Sequence, residues 1–315
     1  MHPDPLSELL HRSGVRGTVF SRAELGEPWS VSTRGSGEPG PDRPAIFHVV
    51  VRGAGFARVH GGDDRVTFRS GDVLIMPHGD AHVLSSDPAI VPSPIASLDA
   101  PPGEDGLPCI THGGDGARTS VLCGSFHFTA EAAAMLRPQL PPLLHVRCAE
   151  GPAAAWLDAT LRLLGAETSG GQPGSETVVA RLADVLFVQA VRRFIAEAPA
   201  DSIGWLSALG DPKLSRVLGL IHAEPATAWT AGSLARRAGM SRTALYNRFT
   251  EKVGETPAAY LTRWRMQVAA RDLRHGASLA ETAAAVGYAS EAAFSRAFKR
   301  ATGESPRAFR AARAA

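Results

Sequence analysis

Cysteine is scarce in this sequence: Cys109, Cys123 and Cys148 are the three among 315 residues. An odd, small number argues against a disulfide framework and for reduced thiols. Long apolar runs are also missing. With no stretch of eighteen consecutive apolar residues, no segment is a candidate membrane-spanning helix. The opening residues, Met1-His2-Pro3-Asp4-Pro5, lack the basic, then apolar, then small-residue order of a secretion signal, so the expectation is a cytoplasmic protein with no membrane partner. An overall excess of one charge is lacking as well, with 33 Lys and Arg against 31 Asp and Glu.

That balance hides an asymmetry. Residues 211 to 315 hold 17 Lys and Arg against 8 Asp and Glu, net +9, leaving 16 against 23, net −7, for the remainder. A chain of this length suits two domains, each able to bury a core. The expected division is a sensor and dimerisation domain over 1–200, a linker over 201–211, and a basic domain over 212–315. A basic half favours a polyanion through counterion release, and an acidic half is free for another task.

The basic half is written twice. Gly239-Met240-Ser241-Arg242-Thr243-Ala244-Leu245-Tyr246-Asn247-Arg248-Phe249 returns as Gly287-Tyr288-Ala289-Ser290-Glu291-Ala292-Ala293-Phe294-Ser295-Arg296-Ala297-Phe298. Gly239 to Gly287 is 48 residues, whereas Phe249 to Phe298 and Pro257 to Pro306 are 49, which places one extra residue near Ala289. Each copy reads as a helix-turn-helix, one mechanical device used twice. Ser241 and Ser290 stand where an N-cap oxygen is needed, and Thr256-Pro257 and Ser305-Pro306 put proline at a first helical position. Leu245 and Phe249 face inward with Leu234 and Ala235, as do Phe294 and Phe298. That leaves Arg242, Thr243, Tyr246, Asn247 and Arg248 outside in the first copy, and Glu291, Ala292, Ser295, Arg296, Lys299 and Arg300 in the second. Residues 256 to 274 read as one continuous spacer helix, roughly 28 Å long at 1.5 Å per residue. Successive major grooves on one face of B-DNA lie ~34 Å apart, so a rigid spacer of this length suits two reading helices in adjacent grooves. Arg263, Arg265, Arg271 and Arg274 make the spacer basic, with a merely solvated role expected for two of the four.

With its duplicated motif and the Gly-Tyr-x-Ser-x-x-x-Phe-x-x-x-Phe-Lys run from Gly287 to Lys299, the region 212 to 310 resembles the DNA-binding domain of the AraC/XylS family of transcription regulators. The resemblance implies that Thr243, Tyr246 and Asn247, and Glu291, Ala292, Ser295 and Arg296, face DNA bases or backbone. Arg296 is the expected guanine reader, because its fork suits the O6 and N7 acceptors.

In the acidic half, short β-branched or aromatic runs at 46–51, 56–59, 65–68, 73–76 and 121–128 are separated by glycines and predict an antiparallel β-barrel or sandwich. A short helix is expected from Leu6 to His11. Amphipathic helices are expected at 153–165 and 176–198, packed on the barrel or against a second chain. The fold class is therefore α+β: an N-terminal antiparallel barrel with a helical appendage, then an all-α double helix-turn-helix domain. Gly71 to His82 fits the second cupin motif, G-x5-P-x-G-x2-H, with Ser86 where Asn is usual, while the HxH pair and Glu of the first motif are missing. Residues 4 to 200 thus resemble the cupin-type sensor domain of one branch of the same family.

His48, His82 and Cys123 fall on three separate strands, a donor set that suits Zn²⁺ or another transition metal. His60, His78 and His127 are weaker candidates. A rival reading makes Cys123 a redox sensor, which requires a depressed thiol pKa. The expected function is a non-enzymatic regulator that binds promoter or operator DNA and senses a small molecule, metal or oxidant; the competing class is a cupin metalloenzyme. Expected partners are double-stranded DNA, an unassigned effector, a second copy of the chain, and RNA polymerase.

Overall fold

The structure, a computed structural model, describes residues 5–7, 15–36, 43–62, 65–103, 106–147, 159–160, 162–167, 172–199 and 201–311. Cys148, residues 8–11 of the first expected helix and residues 153–158 of the second lie outside them. The chain divides into two compact units, Gly14–Glu197 and Ala198–Ala315, the latter grouping with Met1–Ser13.

The first unit is built on two sheets. In chain order its strands are β1 (Arg16–Gly26), β2 (Ser30–Thr33), β3 (Ala45–Arg52), β4 (Ala54–Val59), β5 (Arg65–Arg69), β6 (Val73–Met76), β7 (His82–Ser85), β8 (Ser93–Pro94), β9 (Cys109–Gly113), β10 (Arg118–His127) and β11 (Leu144–Val146). One sheet has the order β11-β6-β3-β10-β1-β9 and the other β5-β4-β7-β2-β8. The expected barrel is not closed among the described residues. Nor is the pairing wholly antiparallel, since β9 lies parallel to β1 and β8 parallel to β2.

Side chains from both sheets meet in one core, with Leu25, Val50, Leu74 and Ile110 from the first sheet and Val31, Ala57, Phe68 and Leu84 from the second. The six-stranded sheet is covered on its other face too. Helix α2 (Ser175–Glu197), which follows α1 (Ala130–Leu136), lays Ala183 and Phe187 against it. Phe47, Phe126 and Phe187 stack in sequence at 4.5 and 5.1 Å between ring centroids. Burial on both faces explains why β3 and β10 carry near-continuous buried runs and no polar alternation. Gly124 is required at its site because a Cβ there would overlap the Phe47 ring. Helix α2 thus packs on its own sheet, as one of the two expected arrangements has it.

The second unit is helical: α3 (Trp205–Ala208), α4 (Pro212–Ala223), α5 (Ala231–Arg237), α6 (Arg242–Val253), α7 (Pro257–Arg274), α8 (Leu279–Ala285), α9 (Glu291–Thr302) and α10 (Pro306–Ala311). The stretch expected to link the halves holds α3, whose Trp205 and Leu206 are buried. Leu6 is buried in the chain, and the Pro5 carbonyl accepts a bond of 3.3 Å from His222 Nδ1. His222 in turn accepts from the Tyr260 hydroxyl at 2.7 Å and stacks on Trp264 at 3.9 Å.

The duplication extends to single hydrogen bonds. Met240 N donates to Ala235 O at 2.9 Å, and Tyr288 N donates to Ala283 O at 2.9 Å, a constant offset of 48 residues. One step later, Ala244 N donates to Ser241 Oγ at 3.1 Å and Ala293 N to Ser290 Oγ at 3.2 Å, an offset of 49. The inserted residue is therefore Ala289. Gly239 and Gly287 open the two turns at φ +64° and +77°, a left-handed conformation that favours glycine. Both serine caps satisfy amides that the helix leaves unpaired. Replacing Ser241 or Ser290 with Ala is expected to cost about 1 kcal/mol each, read as a lowered midpoint in denaturant unfolding of the full chain.

Candidate nucleic-acid interface and the buried sensor cluster

Helices α6 and α9 divide their residues as the sequence pattern requires. Leu245, Phe249, Phe294 and Phe298 are wholly buried. Arg242, Thr243, Tyr246, Asn247 and Arg248 are exposed on α6, as are Glu291, Ala292, Arg296, Lys299 and Arg300 on α9, with Ser295 half-buried. Each helix thus presents a polar face from an apolar anchor. The N-terminal turns also carry the positive end of the helix dipole, which suits a phosphate.

One of these residues has an additional role. Arg248 Nε reaches Asp211 Oδ2 at 2.5 Å, while the same carboxylate accepts from Lys213 N at 2.9 Å as the N-cap of α4. This pair ties the start of α4 to the reading helix. No pattern reveals it, because the partners are 37 residues apart.

The spacer, α7, spans 18 residues and is about 27 Å long at 1.5 Å per residue. Its four arginines are all engaged within the unit. Arg263 binds Glu255 Oε1 through Nε at 2.9 Å and lies over the Tyr260 ring. Arg265 donates to the Pro225 and Thr227 carbonyls at 2.7 and 2.9 Å. Arg271 pairs with Asp272 at 2.7 Å, and Arg274 lies over Phe309 at 4.8 Å. The expectation of a partly free basic stripe is replaced by one in which the charges hold the spacer to its surroundings.

In the first unit, His48, His82 and Cys123 do meet, between the two sheets. Cys123 is the register partner of His48 across β10 and β3, and His82 on β7 pairs with Thr33 of β2. Distances are 3.1 Å from His48 Nδ1 to Cys123 Sγ and 2.7 Å between the two Nε2 atoms. His82 Nδ1 lies 2.9 Å from the Asp80 carbonyl. A carbonyl can only accept, so His82 carries its proton on Nδ1 and offers a lone pair at Nε2. His48 then donates from Nε2, which leaves its Nδ1 to accept from the Cys123 thiol. Thiol, imidazole, imidazole and carbonyl form one neutral chain running in a single direction. Thr33 and Asp80 belong to it and were not visible in the sequence.

This chain does not fit the expected Zn²⁺. Two nitrogens on one tetrahedral zinc stand about 3.3 Å apart for Zn–N bonds of ~2.0–2.1 Å, and Cys123 lies against the opposite nitrogen of His48. Among the described residues no group of three His, Cys, Asp or Glu side chains converges on one point. The weaker candidates are engaged elsewhere or apart: His78 donates to Leu140 O at 3.1 Å, His127 meets Ser125 Oγ at 3.2 Å, and His60 is exposed. Burial pushes the Cys123 thiol up to about 12, the reverse of what a redox sensor needs.

A two-sheet unit followed by paired helix-turn-helix motifs on one spacer defines a two-part protein with a cupin-like half and a nucleic-acid-facing half. Comparison with known proteins gives the same division. The Cupin family model matches residues 4–196, and the Helix-turn-helix domain model matches residues 234–312. An AraC-like transcription regulator of Streptomyces antibioticus is 35% identical over 311 residues, covering 98% of each chain. The HTH-type transcriptional regulator AlkR of Acinetobacter baylyi is 34% identical over 272 residues, 84% of this chain and 87% of that one. Among solved structures, an AraC-type DNA-binding domain protein from Chromobacterium violaceum is 28% identical, covering 34% of this chain and 96% of its own at a TM-score of 0.32. The chain belongs to the AraC-like family of regulators and carries that family's cupin domain. No helix among the described residues is long and apolar enough to cross a membrane.

Burial lowers His82 to about 4, against the opposing bond and charge of Asp80; burial and then the neighbouring His82 push His48 down as well. A histidine that is neutral when folded and titrates at 6.5 when unfolded contributes stability fully present above pH 6.5 and lost as pH falls toward 4. The loss through His82 amounts to about 3 kcal/mol at 1.36 kcal/mol per pKa unit. Thermal unfolding of wild type and His82→Gln between pH 7.5 and 4.5 should therefore converge as acid removes the wild type's advantage; a gap that stays constant with pH contradicts the neutral chain.

Proposed function

We propose that the chain is a sequence-specific DNA-binding transcription regulator. Helices α6 and α9 read neighbouring major grooves, and the cupin-like unit senses an effector whose binding changes how the two helices are presented. The observation that carries this reading is the duplicated turn. Two identical hydrogen-bond patterns, each setting a polar helix face on an apolar anchor, stand at the two ends of one spacer.

The relatives named above are described as transcription regulators, which supports a regulatory and not an enzymatic role. Between the sheets, the thiol and imidazoles are occupied by one another in a neutral hydrogen-bonded chain. The same reading includes a second copy of the chain and RNA polymerase as partners at a promoter.

On α9, Arg296 is exposed on the second turn, and among the described residues no hydrogen bond or ion pair occupies its guanidinium. Its fork matches the O6 and N7 acceptors of guanine. Glu291, on the first turn, has the acceptor that a cytosine N4 amine requires. Replacing Arg296 with Ala should remove discrimination at one base pair, at a cost of about 1–3 kcal/mol. Competition binding against single-base variants of a selected duplex measures it; equal weakening on every sequence would remove Arg296 from base reading.

A further inference from the structure

We infer that Arg265 is a positioning residue that braces the first helix-turn-helix motif against the turn of the second and so fixes the groove-to-groove register of the two reading helices. The inference rests on the two-groove reading proposed above. Its basis is a three-way junction on α7. Arg265 Nε donates to Pro225 O at 2.7 Å and a terminal nitrogen donates to Thr227 O at 2.9 Å. Both carbonyls lie in the loop joining α4 to α5, the helix that opens the first motif. The guanidinium carbon also stands over the ring of Tyr288 at 5.8 Å, in the turn that joins α8 to α9.

The backbone of that turn approaches the same loop. A Cβ on Gly287 would overlap the Ala226 carbonyl and come within 2.9 Å of an Arg265 terminal nitrogen. The glycine thus serves two needs: a φ of +77° and a close approach between the two motifs. One planar fork spans two carbonyls two residues apart while its face rests on an aromatic ring, which is a geometry an ammonium cannot reproduce. Half-buried as it is, the guanidinium is lowered from its usual range by desolvation, yet remains charged. Its contacts restrain rotation of one motif about α7 relative to the other.

Two motifs held in fixed register act as one bivalent reader. Avidity of this kind is lost when geometry forbids simultaneous engagement. A duplex is first selected from a random-sequence pool by the full wild-type chain. One to five base pairs are then inserted between its two protected halves, and affinities are measured for wild type, Arg265→Met and Arg265→Lys. Wild type is expected to lose about a hundredfold or more when half a turn is inserted. In both variants affinity at the native spacing should fall and the spacing profile should flatten, because neither side chain spans both carbonyls.

The controls separate the alternatives. Variants that melt at a lower temperature but keep the wild-type spacing profile overturn the brace, since instability alone weakens binding at every spacing alike. Restoration of the profile by Lys but not by Met also overturns it, by showing that charge suffices without the fork. A flat profile in the wild type itself defeats the two-groove reading and the brace with it.

Discussion

Burial of the spacer helix between the two motifs is the constraint on which the DNA-facing half depends. Helix α7 buries Tyr260, Leu261, Trp264, Met266, Val268, Ala269 and Leu273, too many positions for a helix that packs on one side only. Tyr260 meets Phe249 of α6 at 5.7 Å, and Arg274 meets Phe309 of α10, which itself contacts Phe298 of α9. A single rod is thus continuous with the anchors of both reading helices. The arginines on it reinforce this packing. A charge-assisted hydrogen bond to a carbonyl or carboxylate fixes direction as well as distance, which apolar contact alone does not.

The sensor half solves a different problem, that of joining two sheets through a polar seam. Cys123, His48 and His82 are buried, and each must have a partner if its burial is to be tolerated. The Asp80 carbonyl at the end of the chain determines every proton upstream of it. In the neutral state all donors meet acceptors; adding a proton to His82 would set two N–H groups against each other at 2.7 Å, and adding one to His48 would turn an N–H toward the Cys123 thiol at 3.1 Å. Burial and hydrogen bonding therefore favour the same protonation state. A second buried pair, His145 Nε2 to Asp72 Oδ2 at 2.9 Å, ties β11 to the turn before β6.

Much of this was legible in the sequence wherever a local rule governs. The repeat, its one-residue insertion, the serine caps, the buried Phe249 and Phe298 and the unbroken spacer all follow from turn chemistry and helical periodicity. Proximity of His48 to Cys123 and His82 was legible from the strand assignment, but the way they use their nitrogens was not. Ring orientation depends on Asp80 and Thr33, which no spacing rule connects to His48. Strands β1, β2, β8, β9 and β11 escaped for two reasons: β1 alternates in burial, but its inward positions include Gly17, Ser21 and Ala23, which do not read as an apolar face, and β2, β8, β9 and β11 are only two to five residues long. No closed barrel is seen among the described residues, and the parallel pairing was not legible for a related reason: pairing partners are set by tertiary contacts, and β8 and β9 pair with strands far earlier in the chain. The roles of Asp211 and Arg265 were hidden similarly, since their partners lie 37 and about 40 residues away and a charged residue on a basic helix reads as solvated until its contacts are known.

The central claim is that one chain places two matched helices in successive major grooves of a single duplex. Hydroxyl-radical and base-methylation footprinting of the full chain on a selected duplex, with stoichiometry measured on the same complex, tests it most directly. The account predicts guanine protection in two major-groove segments about 10–10.5 base pairs apart for each bound chain. Protection of one segment per chain, with the second appearing only when another chain binds, would contradict it.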